Sequence, residues 1–133
     1  MYLLDTNIIS YYLRRSSPSL EKRVNSALQN GACAISAITC AELRFGQAYL
    51  GLGDMRRLLI DSFLLRLPNL AWSIDAADQY GQLKAQLQRT GRLICELDTQ
   101  IAAHALAENL ILITHNTKHF ERIEGLKMED WMQ

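Results

Sequence analysis

Leu110-Ile111-Leu112-Ile113 is the stretch that decides the fold: it is apolar throughout, as a central strand covered on both faces of a parallel sheet is. Just upstream, Ile101, Ala102, Ala105 and Leu106 recur at helical spacing, so a helix leads into the strand. Further out the alternation repeats. Tyr2-Leu3-Leu4 reads as a short buried strand ending at Asp5, followed by a helix from Asn7 to about Arg14. Pro18 suits the first turn of a second helix, which runs to about Asn30 and stops at Gly31. Cys33-Ala34-Ile35-Ser36 is the next strand, and Thr39 opens a helix carrying Leu43, Ala48 and Leu50. Asp54 caps a helix through about Leu67, Leu70-Ala71-Trp72 is a strand, and Asp75 caps a helix ending at Gly91. A short helix from about Lys118 to Ile123 and an edge strand near Leu126 to Met128 follow. Strands separated by helices predict an α/β fold, a three-layer sandwich whose central parallel sheet of four or five strands is flanked by helices. In such sheets ligands gather beyond the carboxyl ends of the strands.

The 133 residues predict a single domain, 1–133, with no internal repeat, low-complexity segment or long linker. At 49% hydrophobic and 21% charged, the chain has the balance of an ordinary globular protein. Fourteen Lys and Arg cancel fourteen Asp and Glu. That neutrality removes any long-range attraction for nucleic acid, so a polyanion would have to be held by a local basic patch or by bound cations. Cys33, Cys40 and Cys95 form no C-x-x-C pair, no signal-peptide pattern precedes them, and reduced, packed cysteines of a cytoplasmic protein are expected. No apolar run approaches the ~20 residues of a membrane helix, and no membrane association is expected.

Three acids stand where the sheet rule puts chemistry. Asp5 follows the first strand directly, Glu42 lies just inside the helix after the second, and Asp98 heads the helix that leads into the Leu110 strand. Each also has a purely structural reading. Asp5-Thr6-Asn7 can cap the first helix, Thr39-x-x-Glu42 can form a capping box, and Asp98 in a first helical turn complements the helix dipole.

Taken together the residues carry more. Leu3-Leu4-Asp5-Thr6-Asn7, Ile35-Ser36-x-Ile38-Thr39-x-x-Glu42-Leu43-x-x-Gly46, Asp98-x-x-Ile101-Ala102-Ala103-His104-Ala105 and Ile113-Thr114-x-Asn116-x-x-x-Phe120 occur in this order. Phe120-Glu121-Arg122-Ile123-x-Gly125-Leu126 and Glu129-Asp130-Trp131 follow. This set resembles the PIN-domain ribonucleases, and most closely the toxins of VapBC toxin–antitoxin systems, from residue 3 to residue 131. The resemblance implies a PIN-like sandwich and a type II toxin, a divalent-metal-dependent endoribonuclease that cleaves structured RNA (a tRNA or rRNA loop) with metal-activated water. It implies Mg²⁺ or Mn²⁺ held most directly by Asp5 and Asp98, with Glu42 as a further ligand or as the group orienting water, and Asn7 and Thr114 as hydrogen-bonding supports. It also implies a homodimer and a VapB-like antitoxin as partner. The residue types suit that chemistry, because phosphodiester cleavage needs an activated water and a screen for phosphate charge, and hard cations take carboxylate oxygens.

One departure concerns the fourth ligand. Related toxins place an acid shortly before the Phe of the last block or at the Asn position, whereas Thr114-His115-Asn116-Thr117-Lys118-His119-Phe120 contains none. The carbonyl of Asn116 and the imidazole of His119 are the alternatives, and an imidazole suits Mn²⁺ better than Mg²⁺. Arg14, Arg44, Arg92 and Lys118 come from segments near the acids and are candidates for RNA phosphate contacts. His104, six residues beyond Asp98, points elsewhere on its helix and reads as packing. Tyr11, Tyr12, Phe45, Tyr49 and the Leu58 to Leu65 helix offer more apolar surface than a small core needs, as a groove for an antitoxin helix would. Two rivals share these features: a nuclease of the same chemistry acting on DNA, and a catalytically weak protein-binding module.

Overall fold

A computed structural model describes residues 1–133. Five strands form one sheet: β1 (Tyr2–Leu4), β2 (Cys33–Ser36), β3 (Asn69–Leu70), β4 (Ile111–Ile113) and β5 (Met128–Glu129). Their order is β3-β2-β1-β4-β5, and every neighbouring pair is parallel. Seven helices connect them: α1 (Thr6–Leu13), α2 (Pro18–Gln29), α3 (Ala37–Tyr49), α4 (Arg56–Leu64), α5 (Ile74–Arg89), α6 (Glu96–Ala107) and α7 (Thr117–Phe120).

The period-two alternation of the strands divides the core. Leu4, Cys33, Ile35 and Ile113 face one layer, where Ile8 and Ile9 of α1, Leu20 and Val24 of α2, Leu43 of α3 and Phe63 of α4 cover them. Leu3 and Leu112 face the other, against Ile101, Ala102 and Ala105 of α6 and Phe120. The alanines let α6 lie close to the sheet, and α5 packs along it from outside. The expected three-layer α/β sandwich is therefore present, and no helix is long and apolar enough to cross a membrane.

Differences from the expected boundaries have local causes. The helix bearing Glu42 starts at Ala37 because the Ser36 hydroxyl, at the end of β2, accepts from the Ile38 N–H at 3.1 Å. Ser73 caps α5 in the same way, ahead of Asp75. The third strand is Asn69–Leu70 and excludes Trp72, which leaves the sheet to pack edge-on against His104. The last strand is Met128–Glu129, and α7 ends at Phe120. Of the cysteines only Cys33 is fully buried, and Cys95 is exposed at the head of α6.

The sheet order places a topological switch point between β1 and β4: the chain leaves β1 toward β2 on one side, while β4 pairs on the other. The crevice beyond the carboxyl ends of those two strands is where such a sheet collects ligands.

Candidate active site

Asp5 is the first residue beyond β1 and Thr114 the first beyond β4, so the two face each other across the switch point. Thr114 Oγ1 donates to Asp5 Oδ2 at 3.0 Å, and the Thr6 N–H donates to Asp5 Oδ1 at 2.8 Å, which makes Asp5 the N-cap of α1. Asp5 is only 2% exposed. Burial raises its pKa to about 6, and the nearby charges of Asp98 and Glu42 push the same way against the hydrogen bonds from Thr114 and Thr6.

Glu42 lies in the second turn of α3. Thr6 Oγ1 donates to Glu42 Oε1 at 2.6 Å and stands 3.2 Å from the buried Thr39 hydroxyl. The capping-box reading of Thr39 and Glu42 is thereby overturned: Ser36 caps the helix, and the Glu42 carboxylate turns toward α1. Asp98 sits in the first turn of α6, and burial raises its pKa against the opposing pull of His119, whose Nδ1 is 3.8 Å from Asp98 Oδ2. The side-chain amide of Asn116 lies 2.7 Å from that same nitrogen. Both alternatives for the fourth ligand thus stand on the Asp98 side of the site.

The acids lie close enough for Asp98 and Glu42 to raise the proton affinity of Asp5, yet no three of the His, Cys, Asp and Glu side chains converge tightly enough to share one ion. Partly buried carboxylates that raise one another's proton affinity suit a hard divalent cation, which would relieve that repulsion through oxygen ligands. Asp5, Asp98 and Glu42 are the carboxylates at the switch point that such a cation would draw on.

Among the supporting candidates, Thr114 bonds Asp5 as expected, whereas Asn7 makes no side-chain hydrogen bond to an acid. It is exposed in the groove beside Glu42, and Thr6, one residue nearer the strand, takes the supporting role. Of the basic candidates, Arg14 lines that same groove and stacks over Tyr11 at 5.3 Å. Arg44 is held by Asp61 and Gln47 across α3 and α4, which removes its guanidinium from the acids because helical geometry turns it away from Glu42 two residues earlier. Arg92 lines a separate cleft, and Lys118 is exposed on α7.

Sequence reasoning passed over Thr6 and Thr39 as site residues, although both lie inside the blocks that carried the acids. It also missed a rim contact, His115 Nδ1 to Asp130 Oδ2 at 2.9 Å with Tyr11 edge-on to the imidazole, because the partners are far apart in sequence. His104 packs, as expected, but its buried ring also reaches Ser36 Oγ at 2.7 Å, tying α6 to the cap of the helix that bears Glu42.

The PIN-domain pattern matches residues 2–126. Over 98% of its length the chain is 39% identical to the "Ribonuclease VapC2" of Haemophilus influenzae, covering 98% of that protein. It is 36% identical to the "tRNA(fMet)-specific endonuclease VapC" of Shigella flexneri, over 98% of this chain and 97% of that one. A crystal structure of VapBC2 from Rickettsia felis, bound to a DNA fragment from its promoter, superposes with a TM-score of 0.89 at 35% identity, covering 98% of each chain.

Proposed function

The chain belongs to the PIN-domain family, among its VapC ribonucleases, and from that premise we propose that it is the toxin of a VapBC pair, cleaving structured RNA with a divalent metal ion. The observation that supports the metal site is the raised proton affinity of Asp5 beside Asp98 and Glu42 at the sheet's switch point. Bound Mg²⁺ or Mn²⁺ would neutralise phosphate charge and make a nearby water acidic enough to attack at neutral pH.

The chain's own residues do the rest. Asp5, fixed by Thr114 and the Thr6 N–H, and Asp98, in the first turn of α6, would offer the anionic oxygens that hold the ion. Glu42, fixed by Thr6, orients the attacking water and accepts its proton. His119 lies against Asp98, and its imidazole would complete the ligand set, which would make Mn²⁺ the better activator. Equal rates at saturating Mg²⁺ and Mn²⁺ would overturn that last assignment.

The tRNA(fMet) specificity of the Shigella flexneri relative makes tRNA the first substrate to try. The antitoxin partner is supported by the solved VapBC complexes and by an apolar surface left open on α3, α4 and their connection, where Phe45, Tyr49, Leu52, Met55 and Leu58 are exposed. A homodimer would draw on the same kind of surface. The deciding experiment incubates initiator tRNA with the protein freed of its partner, with Mn²⁺, with EDTA, and as Asp98→Asn. Discrete fragments that disappear with EDTA and fall on the order of a hundredfold in the variant establish the reading. No cleavage by the folded wild-type protein, or fragments that persist in the variant, would overturn it. Cleavage of matched DNA at the same rate would transfer the chemistry to DNA.

A further inference from the structure

A second cleft is lined in part by the segment that leads into α6, and it uses residues the chemistry leaves idle. It measures about 650 Å³ between α5, the 90–92 turn and the segment after α7. Arg89, Arg92 and Arg122 line it, and none has a carboxylate within 4.0 Å. Glu121 and Glu124 line it as well, also without an ion-pair partner, so the lining carries one net positive charge in a protein whose total is zero.

Position connects the cleft to the acids. The 90–95 segment that carries Arg92 leads directly into α6, whose first turn bears Asp98. On the other wall, Arg122 comes three residues after His119, which packs against Asp98, and it reaches the Leu93 carbonyl. From Thr90 the cleft follows α5 back to Gln79, about 16 Å of helix. Gln79, Gln82 and Gln86 face it at helical spacing, and each amide can both donate and accept. Guanidinium groups free of acidic partners suit phosphates, and amides beside them suit 2′-hydroxyls and base edges.

We propose that this cleft between α5 and the segment after α7 binds RNA flanking the scissile bond, with Arg89, Arg92 and Arg122 on backbone phosphates and the glutamines on ribose and base edges. The proposal rests on the ribonuclease reading. It gives a neutral protein a local place for a polyanion, where three arginines without acidic partners stand against two glutamates.

The test measures binding in the absence of cleavage, using Asp98→Asn protein, EDTA and a fluorescein-labelled initiator tRNA transcript across a salt series. Adding Arg89→Ala, Arg92→Ala and Arg122→Ala to that background weakens Kd at least tenfold and lowers the slope of log K against log salt by about 2. Gln82→Ala with Gln86→Ala narrows the preference for RNA over a matched DNA. An unchanged melting temperature in each variant shows that the fold is intact. An unchanged Kd and slope in the triple-arginine protein overturns the proposal, even where the wild-type enzyme cleaves the tRNA and the nuclease reading stands. Unchanged tRNA binding with loss of antitoxin co-purification overturns it in favour of a protein-docking cleft. A wild-type protein that neither binds nor cleaves RNA overturns both readings.

Discussion

Asp5 is under opposing demands. Its carboxyl caps α1 and accepts from Thr114, which favours the ionised form, but burial and two neighbouring acids favour the proton and leave its pKa near 6. The folded chain therefore binds more protons than the unfolded chain between the ordinary carboxylate value of 3.8 and about 6. Stability of the metal-free protein contributed by this group is greatest below that window and falls as pH rises through it. Asp5→Asn keeps the cap and removes the charge, so in EDTA at pH 7.5 it should stabilise the fold by on the order of 1–3 kcal/mol, measured by urea unfolding, with a smaller effect at pH 4.5. Divalent metal should raise the wild-type melting temperature more at pH 7.5 than at pH 5 and leave the variant nearly unmoved. His104 tilts the other way. Burial lowers its pKa from the ordinary 6.5, so the unfolded chain takes up the proton first and this contribution is lost as pH falls below that value. His104→Ala should cost about 2–4 kcal/mol, because it opens space beneath Trp72 and leaves the Ser36 hydroxyl without its partner.

At the scale of elements, the site is an agreement between helix starts. Asp5 caps α1, Ser36 caps α3 and α6 begins just ahead of Asp98, all at the carboxyl edge of the sheet. Thr6 links two of these starts through Glu42. Thr6→Val preserves shape and deletes the hydroxyl; it should lower the cleavage rate about tenfold while costing roughly 1 kcal/mol of stability, read by single-turnover kinetics and by thermal melting. Ser36→Ala frays the start of α3 and frees His104, so a loss of about 1–2 kcal/mol is expected with a similar fall in rate. A large stability loss with unchanged rate in either variant would show that the helix starts do not set the geometry of the acids.

For the whole molecule, the distribution of surface matters more than its total. One layer buries Phe63 and Leu64 of α4, yet the outer side of the same helix exposes Leu58 and Leu59, and α3 exposes Phe45 and Tyr49 beside them. Arg44, Gln47, Arg57 and Asp61 lock α3 to α4 by hydrogen bonds, so the apolar patch is carried on a rigid pair. Leu58→Asp with Leu59→Asp should leave the melting temperature within a few degrees and abolish co-purification with a co-expressed antitoxin, followed by size-exclusion chromatography with light scattering. Retained co-purification would place the partner on another face.

By itself the sequence determined the α/β alternation, the two-sided burial of Ile111–Ile113 and the placing of Asp5, Glu42 and Asp98 near helix starts, because hydrophobic period and short ordered blocks are local properties that chain spacing preserves. The cap of α3 departs from the sequence pattern for an equally local reason: Thr39 fits a capping box, but Ser36 at the strand end reaches the helix first. Only the tertiary structure decided that Glu42 answers to Thr6, that Arg44 is spent on Asp61, and that His104 reaches Ser36 across 68 positions of chain. Those pairings are set by which strands become neighbours at the switch point and by how α3, α4 and α6 pack around them. A side chain's partner is chosen by the surface its helix meets, and that surface exists only once the sheet order β3-β2-β1-β4-β5 has formed.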